Sequence, residues 1–204
     1  LVSGRITKNG QFELFTLYDL STAILTNQND ILQGDYSLKL LNNSVLREEL
    51  KFDVSFFINT IGGNATEVNE TFFAFIVNSS NLDAIELTVN NTVQDSINKT
   101  INTPELTILT PYNGQVISGM FNITWNQTDL DNDTLVSAIL ISANGGVDYT
   151  TLEIDYNETF YELNTTQFVD GDYYVIKILT SDGFNTGEDS VNISIDQDLA
   201  LYNL

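Results

Sequence analysis

Short alternating runs of apolar and polar residues, separated by turn residues about every ten positions, fill the second half of the chain. The run 121–126 reads Phe-Asn-Ile-Thr-Trp-Asn, and the run 191–195 reads Val-Asn-Ile-Ser-Ile. Because side chains in a strand alternate between its two faces, each run places its apolar residues on one face. This pattern predicts antiparallel strands with one buried face, packed as a β-sandwich.

The first half of the chain also predicts strands, but less regularly. Asn9-Gly10 is a favoured tight turn and predicts a hairpin near the start. Strands are further predicted at 22–27, 71–77 and 84–89, the run 71–77 as a buried strand. The stretch 34–58 is predicted as two strands that turn at Asn42-Asn43. A short helix over residues 44–51 is the alternative there, because Arg47-Glu-Glu-Leu has helical propensity.

Two domains are predicted, with a boundary near residue 103. Residues 93–103 are polar, and the chain's two prolines, Pro104 and Pro111, bracket the strand that follows. Proline restricts a linker and blocks pairing at a sheet edge. The expected fold is all-β, with two tandem antiparallel immunoglobulin-like sandwiches at 1–103 and 104–204 and little or no helix. The first is either complete or completed by a strand from elsewhere.

Gly34-Asp-Tyr36 and Gly171-Asp-Tyr173 form a faint internal repeat, each at the start of an alternating run. In immunoglobulin-like folds, a tyrosine near the start of a late strand often bonds back to the preceding loop. The repeat favours two related sandwiches over a coincidence of common turn residues.

The second half resembles the immunoglobulin-like or fibronectin-III-like modules of archaeal and bacterial surface-layer proteins and large secreted peptidases. The resemblance rests on the motifs Pro111-Tyr-Asn-Gly, Ser118-Gly, Ile123-Thr-Trp, Asp129-Leu-Asp-Asn-Asp, Ser142-Ala-Asn-Gly-Gly, Asp170-Gly-Asp-Tyr and Ser181-Asp-Gly-Phe-Asn-Thr-Gly. It covers about 90 residues and implies the fold of the module. It does not imply one function, because such modules serve as spacers, adhesins and assembly units.

Composition excludes several functional classes. The chain contains no Cys and no His, which removes disulfides, thiolate nucleophiles and the commonest general base and transition-metal ligand. Its formal net charge is −21, which disfavours binding to nucleic acid or to an anionic membrane surface. No apolar run is long enough for a transmembrane helix. Since the sequence begins at Leu1, it is interpreted as a processed protein or a piece of a longer one.

No catalytic motif is present. The chain lacks a Gly-x-Ser-x-Gly elbow, a P-loop and a Gly-x-Gly-x-x-Gly loop. Carboxylate pairs of the glycosidase type remain open, but they carry little information in so acidic a chain. The prediction is a non-enzyme with no small-molecule substrate and no cofactor other than a candidate calcium ion and N-linked glycans.

Asp129, Asp131 and Asp133 form a short acidic loop between two predicted strands. Carboxylates at alternate positions can converge on calcium, which takes six to eight oxygen ligands. The loop lacks the glycine and the final glutamate of an EF-hand. The two readings are a calcium site and a solvated acidic turn, and the sequon at Asn132 would place a glycan in the same loop.

Twelve Asn-x-Ser/Thr sequons occur along the chain, about three times as many as its composition would give by chance. They are Asn42, Asn64, Asn69, Asn78, Asn90, Asn98, Asn122, Asn126, Asn132, Asn157, Asn164 and Asn192. Several take the polar phase of alternating strands and most others lie in predicted turns, where a bulky glycan fits. The pattern predicts a heavily N-glycosylated extracellular protein of the cell surface, against the alternative of an Asn- and Thr-rich composition alone.

The favoured function is a structural protein that polymerises with itself into a filament or surface layer. The alternatives are a non-catalytic C-terminal region of a large secreted peptidase, such as a subtilisin-like one, and an adhesin module. Because the first half is predicted to lack a strand of a complete sandwich, assembly by strand donation is expected. The candidate donors are residues 1–7 and 198–204, both of which carry large apolar side chains.

Overall fold

A computed structural model describes residues 1–18, 34–59, 65–78 and 81–198, and these residues form almost only β-structure. The prediction of an all-β chain is confirmed. The chain divides into two compact units, Leu1–Thr100 and Ile101–Leu204, named here the first and second units. Within the described residues, no helix is long and apolar enough to cross a membrane.

The described part of the first unit contains nine strands. They are β1 (Val2–Thr7), β2 (Phe12–Leu14), β3 (Tyr36–Asn42), β4 (Val45–Phe52), β5 (Phe57–Asn59), β6 (Ala65–Glu67), β7 (Glu70–Phe75), β8 (Ala84–Val89) and β9 (Thr92–Asn98). They form a three-stranded sheet in the order β2–β1–β7, a four-stranded sheet in the order β4–β3–β8–β9, and a hairpin of β5 with β6. All of these pairings are antiparallel.

The core of the first unit lies between its two larger sheets. Alternate residues of β3 and β8 are fully buried, among them Leu38, Leu40 and Ile85. The ring of Phe52, at the end of β4, lies 5.0 Å from that of Phe73 in β7, so the two sheets face each other. Aromatic pairs at this separation add to the stability that their buried area supplies.

Residues 1–7 are not available for donation to another chain. Strand β1 lies at the centre of its own sheet, paired along its length with β7 on one side and with β2 on the other. The first candidate donor is therefore wrong. The second candidate lies outside the described residues, apart from Asp198.

Tight turns of asparagine explain two hairpins of the first unit. Asn43 and Ser44 have φ angles of 49° and 60°, and Asn90 and Asn91 have 49° and 65°. Two consecutive positive φ angles define the type I′ turn, whose twist matches that of paired strands. The hairpin β3–β4 is thereby set, and the helical alternative for residues 44–51 is wrong. The hairpin predicted at Asn9-Gly10 is confirmed by the pairing of β1 with β2.

Two strands of the first unit differ from expectation. Strand β7 was expected to be buried, but it is an edge strand in which Phe72 is 63% exposed. An apolar run does not show whether a strand lies at the edge or in the centre of a sheet, because that depends on which strands, distant in the sequence, pair with it. Strand β9 lies largely within the polar stretch 93–103, for which the sequence predicts no strand. The strand predicted at 22–27 lies outside the described residues.

The second unit contains eight strands in its described residues. They are β10 (Glu105–Thr110), β11 (Gln115–Ile117), β12 (Met120–Thr128), β13 (Val136–Ser142), β14 (Thr150–Tyr156), β15 (Phe160–Asn164), β16 (Gly171–Ser181) and β17 (Thr186–Ile195). A three-stranded sheet has the order β10–β12–β15, and a five-stranded sheet has the order β11–β17–β16–β13–β14. One turn of 3₁₀ helix spans Thr165–Gln167.

Both sheets of the second unit contribute to one apolar core. Ile123 and Trp125 of the small sheet join Ile139 and Ile176 of the large sheet, all at most 2% exposed. The first two strands of the unit belong to different sheets. Strand β10 pairs antiparallel with β12 in the small sheet, and β11 pairs in parallel with β17 in the large sheet. This arrangement is a β-sandwich whose first two strands lie in opposite sheets.

The bonded tyrosine expected at the start of a late strand is Tyr174 in β16. Its hydroxyl donates a hydrogen bond to the carbonyl oxygen of Val169 at 2.8 Å. Tyr173, the tyrosine of the repeat motif, is 76% exposed. The two repeat motifs nevertheless occupy comparable places, since β3 and β16 are both central strands that form a hairpin with the next strand.

Candidate cation site and glycosylation sequons

The acidic loop 129–133 joins β12 to β13 at one end of the second unit. Asn132, in its middle, has a φ angle of 61°, a left-handed conformation that asparagine adopts more readily than most residues. The turn brings Asp129, Asp131 and Asp133 together, so that one carboxylate oxygen of each lies within 4.8 Å of the others.

Asp131 is held by a residue from outside the loop. Its two carboxylate oxygens accept hydrogen bonds from the backbone N–H and the side-chain amide of Asn102, both at 2.7 Å. These bonds, the backbone one foremost, hold the pKa of the Asp131 carboxyl below its ordinary value. Within the loop, Oδ1 of Asp129 accepts a hydrogen bond from the backbone N–H of Asp131 at 2.7 Å.

Two carboxylate oxygens of the loop are buried without a partner. They are Oδ2 of Asp129 and Oδ2 of Asp133, which have no hydrogen-bond partner among the described residues. At 4.8 Å, two carboxylates repel each other by about 0.9 kcal/mol in water and by about 3.5 kcal/mol at an effective dielectric of 20. A hard cation bound by these carboxylates would remove this repulsion. The donor set, oxygen only and anionic, fits calcium.

Asn102 is a member of this site that sequence reasoning missed. It lies in the polar stretch 93–103, and no motif marks it. Its carbonyl oxygen accepts a hydrogen bond from the side chain of the buried Asn185 at 3.2 Å, so two loops hold it. Only the fold brings residues 102, 131 and 185 together.

The sequons lie at the surface. Of the eleven sequon asparagines that the structure describes, ten are exposed and one, Asn42, is half-buried. Asn64 lies outside the described residues. Asn122 and Asn126 share the outward face of β12, whereas Ile123 and Trp125 of the same strand are buried in the core. Whether these positions carry glycans stays a prediction.

The side chain of Asn164 shows how a sequon can be ordered before modification. Its carbonyl oxygen accepts hydrogen bonds from the backbone N–H and the hydroxyl of Thr166, at 3.1 and 2.7 Å. Thr166 is the third residue of the same sequon. The oxygen of the amide, rather than the nitrogen that a glycan would modify, therefore fixes the position of this side chain.

Asn42 is the only sequon asparagine among the described residues that is half-buried. Its amide nitrogen donates to the carbonyl of Asn81, and its amide oxygen accepts from the side chain of Asn43 at 2.6 Å. It lines a pocket of about 480 Å³ together with Leu40, Arg47, Glu48, Asn78, Asn81 and Leu82. We expect the amide nitrogen of Asn42 to be the least accessible of the described sequons.

Comparisons with known proteins yield only weak likenesses. No family model matches the chain, and no curated protein matches it. Among solved structures, fibronectin(III)-like modules of CbhA from Clostridium thermocellum are 15% identical, with a TM-score of 0.37 over 86% of this chain and 83% of that one. The FN1–FN3 domains of chicken CNTN1 are 10% identical, with a TM-score of 0.35 over 81% of this chain and 58% of that one.

An endo-β-1,4-mannanase from Thermotoga petrophila is 16% identical, with a TM-score of 0.37. The match covers 48% of this chain and only 20% of the mannanase. Likenesses at this level carry no inference about what the present chain binds or does.

Proposed function

We propose that this chain is a non-catalytic structural part of an N-glycosylated extracellular protein of the cell surface. The observation that carries the proposal is the placement of the sequons: none of the eleven that the structure describes is buried. N-linked glycans need exposed acceptors, and the modification takes place on chains that leave the cytoplasm. A chain that was merely rich in Asn and Thr would place some of these triplets in the sheet cores.

Glycopeptide mass spectrometry of the native protein tests this proposal. We expect sugar on most of the ten exposed sequon asparagines and less, or none, on Asn42. Asn113 and Asn144 are exposed asparagines outside any sequon and serve as internal controls that should stay unmodified. Native protein without sugar at any sequon would overturn the proposal.

Self-assembly into a filament or surface layer belongs to the same proposal. Since β1 is held in its own sheet, residues 198–204 are the remaining candidate donor. Removing residues 199–204 should abolish polymers seen by electron microscopy while both units still melt as in the full chain. Polymers that persist without the segment would exclude strand donation by it. If the intact mass of the native protein corresponds to a chain of several hundred residues, the peptidase alternative is favoured instead.

Calcium binding is a second proposed function, favoured by the two buried, unpartnered oxygens of Asp129 and Asp133. Extracellular modules bind calcium with dissociation constants of about 10⁻⁴ to 10⁻³ M, which suits a medium rich in calcium. Titration calorimetry should show one calcium site in the wild type and none in Asp129→Asn. Magnesium, which demands a tighter octahedral shell, should bind more weakly. A wild type that shows no binding heat and no calcium-dependent change in melting would refute this function.

A further inference from the structure

The open edges of the sheets could pair with strands of other chains and cause aggregation. A strand at the edge of a sheet presents unpaired N–H and C=O groups to which another chain can bind. The edges of the two sandwiches, within the described residues, are formed by β2, β7, β4, β9, β10, β15, β11 and β14.

Two of these edges are closed by an aspartate of the opposite sheet. In the first unit, the backbone N–H of Leu14 in β2 donates to Oδ2 of Asp95 in β9 at 2.7 Å. In the second unit, the backbone N–H of Ile108 in β10 donates to Oδ2 of Asp189 in β17 at 2.8 Å. An incoming strand would have to displace a carboxylate in each case. No sequon lies within three residues of either strand.

Three other edges have a sequon at each end. Strand β7 lies between Asn69 and Asn78, β9 between Asn90 and Asn98, and β15 between Asn157 and Asn164, all six of them exposed. Each of these strands is short, so its two sequons lie close to the edge that they flank. Strand β15, with five residues, is about 17 Å long.

The same three edges carry exposed apolar side chains. Phe72 in β7 is 63% exposed, Val93 in β9 is 48% exposed, and Phe160 in β15 is 48% exposed. A large apolar residue on an unpaired edge makes pairing with another chain more favourable, because pairing would bury its side chain. Edge strands β4 and β14 also expose apolar residues, with Val45 at 54% and Ile154 at 53%, but β7, β9 and β15 are the ones with a sequon at each end.

We propose that N-glycans at the ends of β7, β9 and β15 keep these edges from pairing with other chains. An added strand would lie about 4.8 Å from the edge, and its side chains would lie about 5 Å from those of the edge strand. A glycan on the end residues fills that space. The proposal rests on the proposed glycosylation and assigns it a role: sugars guard the open apolar edges, and aspartates close β2 and β10.

The test compares two variants of the second unit's small sheet within the full chain, made in a host that glycosylates the wild type. The edge variant, Thr159→Ala with Thr166→Ala, removes the sequons at both ends of β15 without replacing either asparagine. Asn164 loses the bond from the Thr166 hydroxyl but keeps the one from the backbone N–H of residue 166. The matched control, Asn122→Gln with Asn126→Gln, removes two sequons from the central strand β12. Both lose the same number of glycans from one sheet.

Light scattering and thioflavin fluorescence at a temperature well below melting measure association. We expect the edge variant to associate several-fold faster than the wild type, and the control to match the wild type. Adding Phe160→Lys to the edge variant should restore the slow rate, because an edge lysine opposes pairing. Equal rates for the edge variant and the control would overturn the proposal, as would no effect of the lysine.

Glycopeptide mapping of the wild type separates the two proposals. Sugar on Asn157 and Asn164 together with equal association rates would refute the guarding role alone. Bare asparagines at both positions in the native protein would refute the guarding role and, with bare asparagines elsewhere, the proposed function.

Discussion

Replacing Asp133 with asparagine should change the stability of the second unit in opposite directions with and without calcium. Without calcium, the substitution removes one of three carboxylates whose oxygens lie within 4.8 Å of one another, and with it two of the three repulsive pairs. Each pair costs between about 0.9 and 3.5 kcal/mol, depending on the local dielectric. Allowing for relaxation of the loop, we expect Asp133→Asn to stabilise the calcium-free unit by about 1–2 kcal/mol.

With calcium, the same substitution should destabilise the unit relative to the wild type. A site with a dissociation constant of about 10⁻⁴ M, in about 10 mM calcium, adds about 2.7 kcal/mol to the free energy of unfolding. In a unit of about 100 residues, 1 kcal/mol shifts the melting temperature by about 4 °C. The wild type should therefore gain about 10 °C on adding calcium, and the variant, which lacks one charged ligand, should gain little.

Scanning calorimetry in calcium, in magnesium and in a chelator checks this prediction. Asp172→Asn is the matched control, since it makes the same change of charge at an exposed strand position. Its effect should be the same in all three buffers. Asp133→Asn also keeps the sequon at Asn132, so glycosylation is unchanged. If Asp133→Asn shifts melting equally with and without calcium, the loop is a solvated acidic turn and the reasoning fails.

Three further predictions concern the second unit. Tyr174→Phe, which loses a partly buried hydrogen bond, should lower the free energy of unfolding by about 1 kcal/mol, whereas Tyr173→Phe should leave melting unchanged. Gly187→Ala would place a Cβ 2.0 Å from the carbonyl oxygen of Pro104, and chemical denaturation should show a loss of about 3 kcal/mol. Burial, with nearby negative charge second, raises the pKa of Tyr161 above its ordinary value. Its contribution to stability is therefore present below about pH 10 and lost as the pH rises through the raised pKa, a loss that Tyr161→Phe should reduce in melts at alkaline pH.

Alternation along a strand was enough to predict which face of β12 is buried. The side chains of Ile123 and Trp125 are buried, and those of Asn122 and Asn126 are exposed, as the period of two requires. The same alternation could not identify edge strands. Strand β7 is apolar enough for a central position, but its place in the sheet is set by pairing with β1, from Thr7↔Glu70 to Val2↔Phe75, far earlier in the chain.

The acidic loop was visible in the sequence because its carboxylates are close together in the chain. Asn102 was not, because its link to Asp131 exists only after β10 and β12 have folded side by side. Polarity alone likewise misassigned β9. Four of its seven residues are fully polar at exposed positions, and a polar edge strand has the same composition as a linker. The tyrosine that bonds back to the preceding loop is Tyr174 rather than Tyr173. A shift of one residue along a strand places the side chain on the opposite face of the sheet.

The parallel pairing of β11 with β17 determines how the second unit would carry mechanical load. The two strands lie near the start and the end of the unit, so tension across its ends pulls them past each other along their length. The hydrogen bonds between the two strands are then loaded together, in shear. The residues paired across them are Gln115 with Ile193, Val116 with Ser194 and Ile117 with Ile195. A hairpin pulled at its open end would instead unzip one pair at a time. This short three-residue strand therefore supplies strength against stretching in addition to the stability that its buried Ile117 adds to the core.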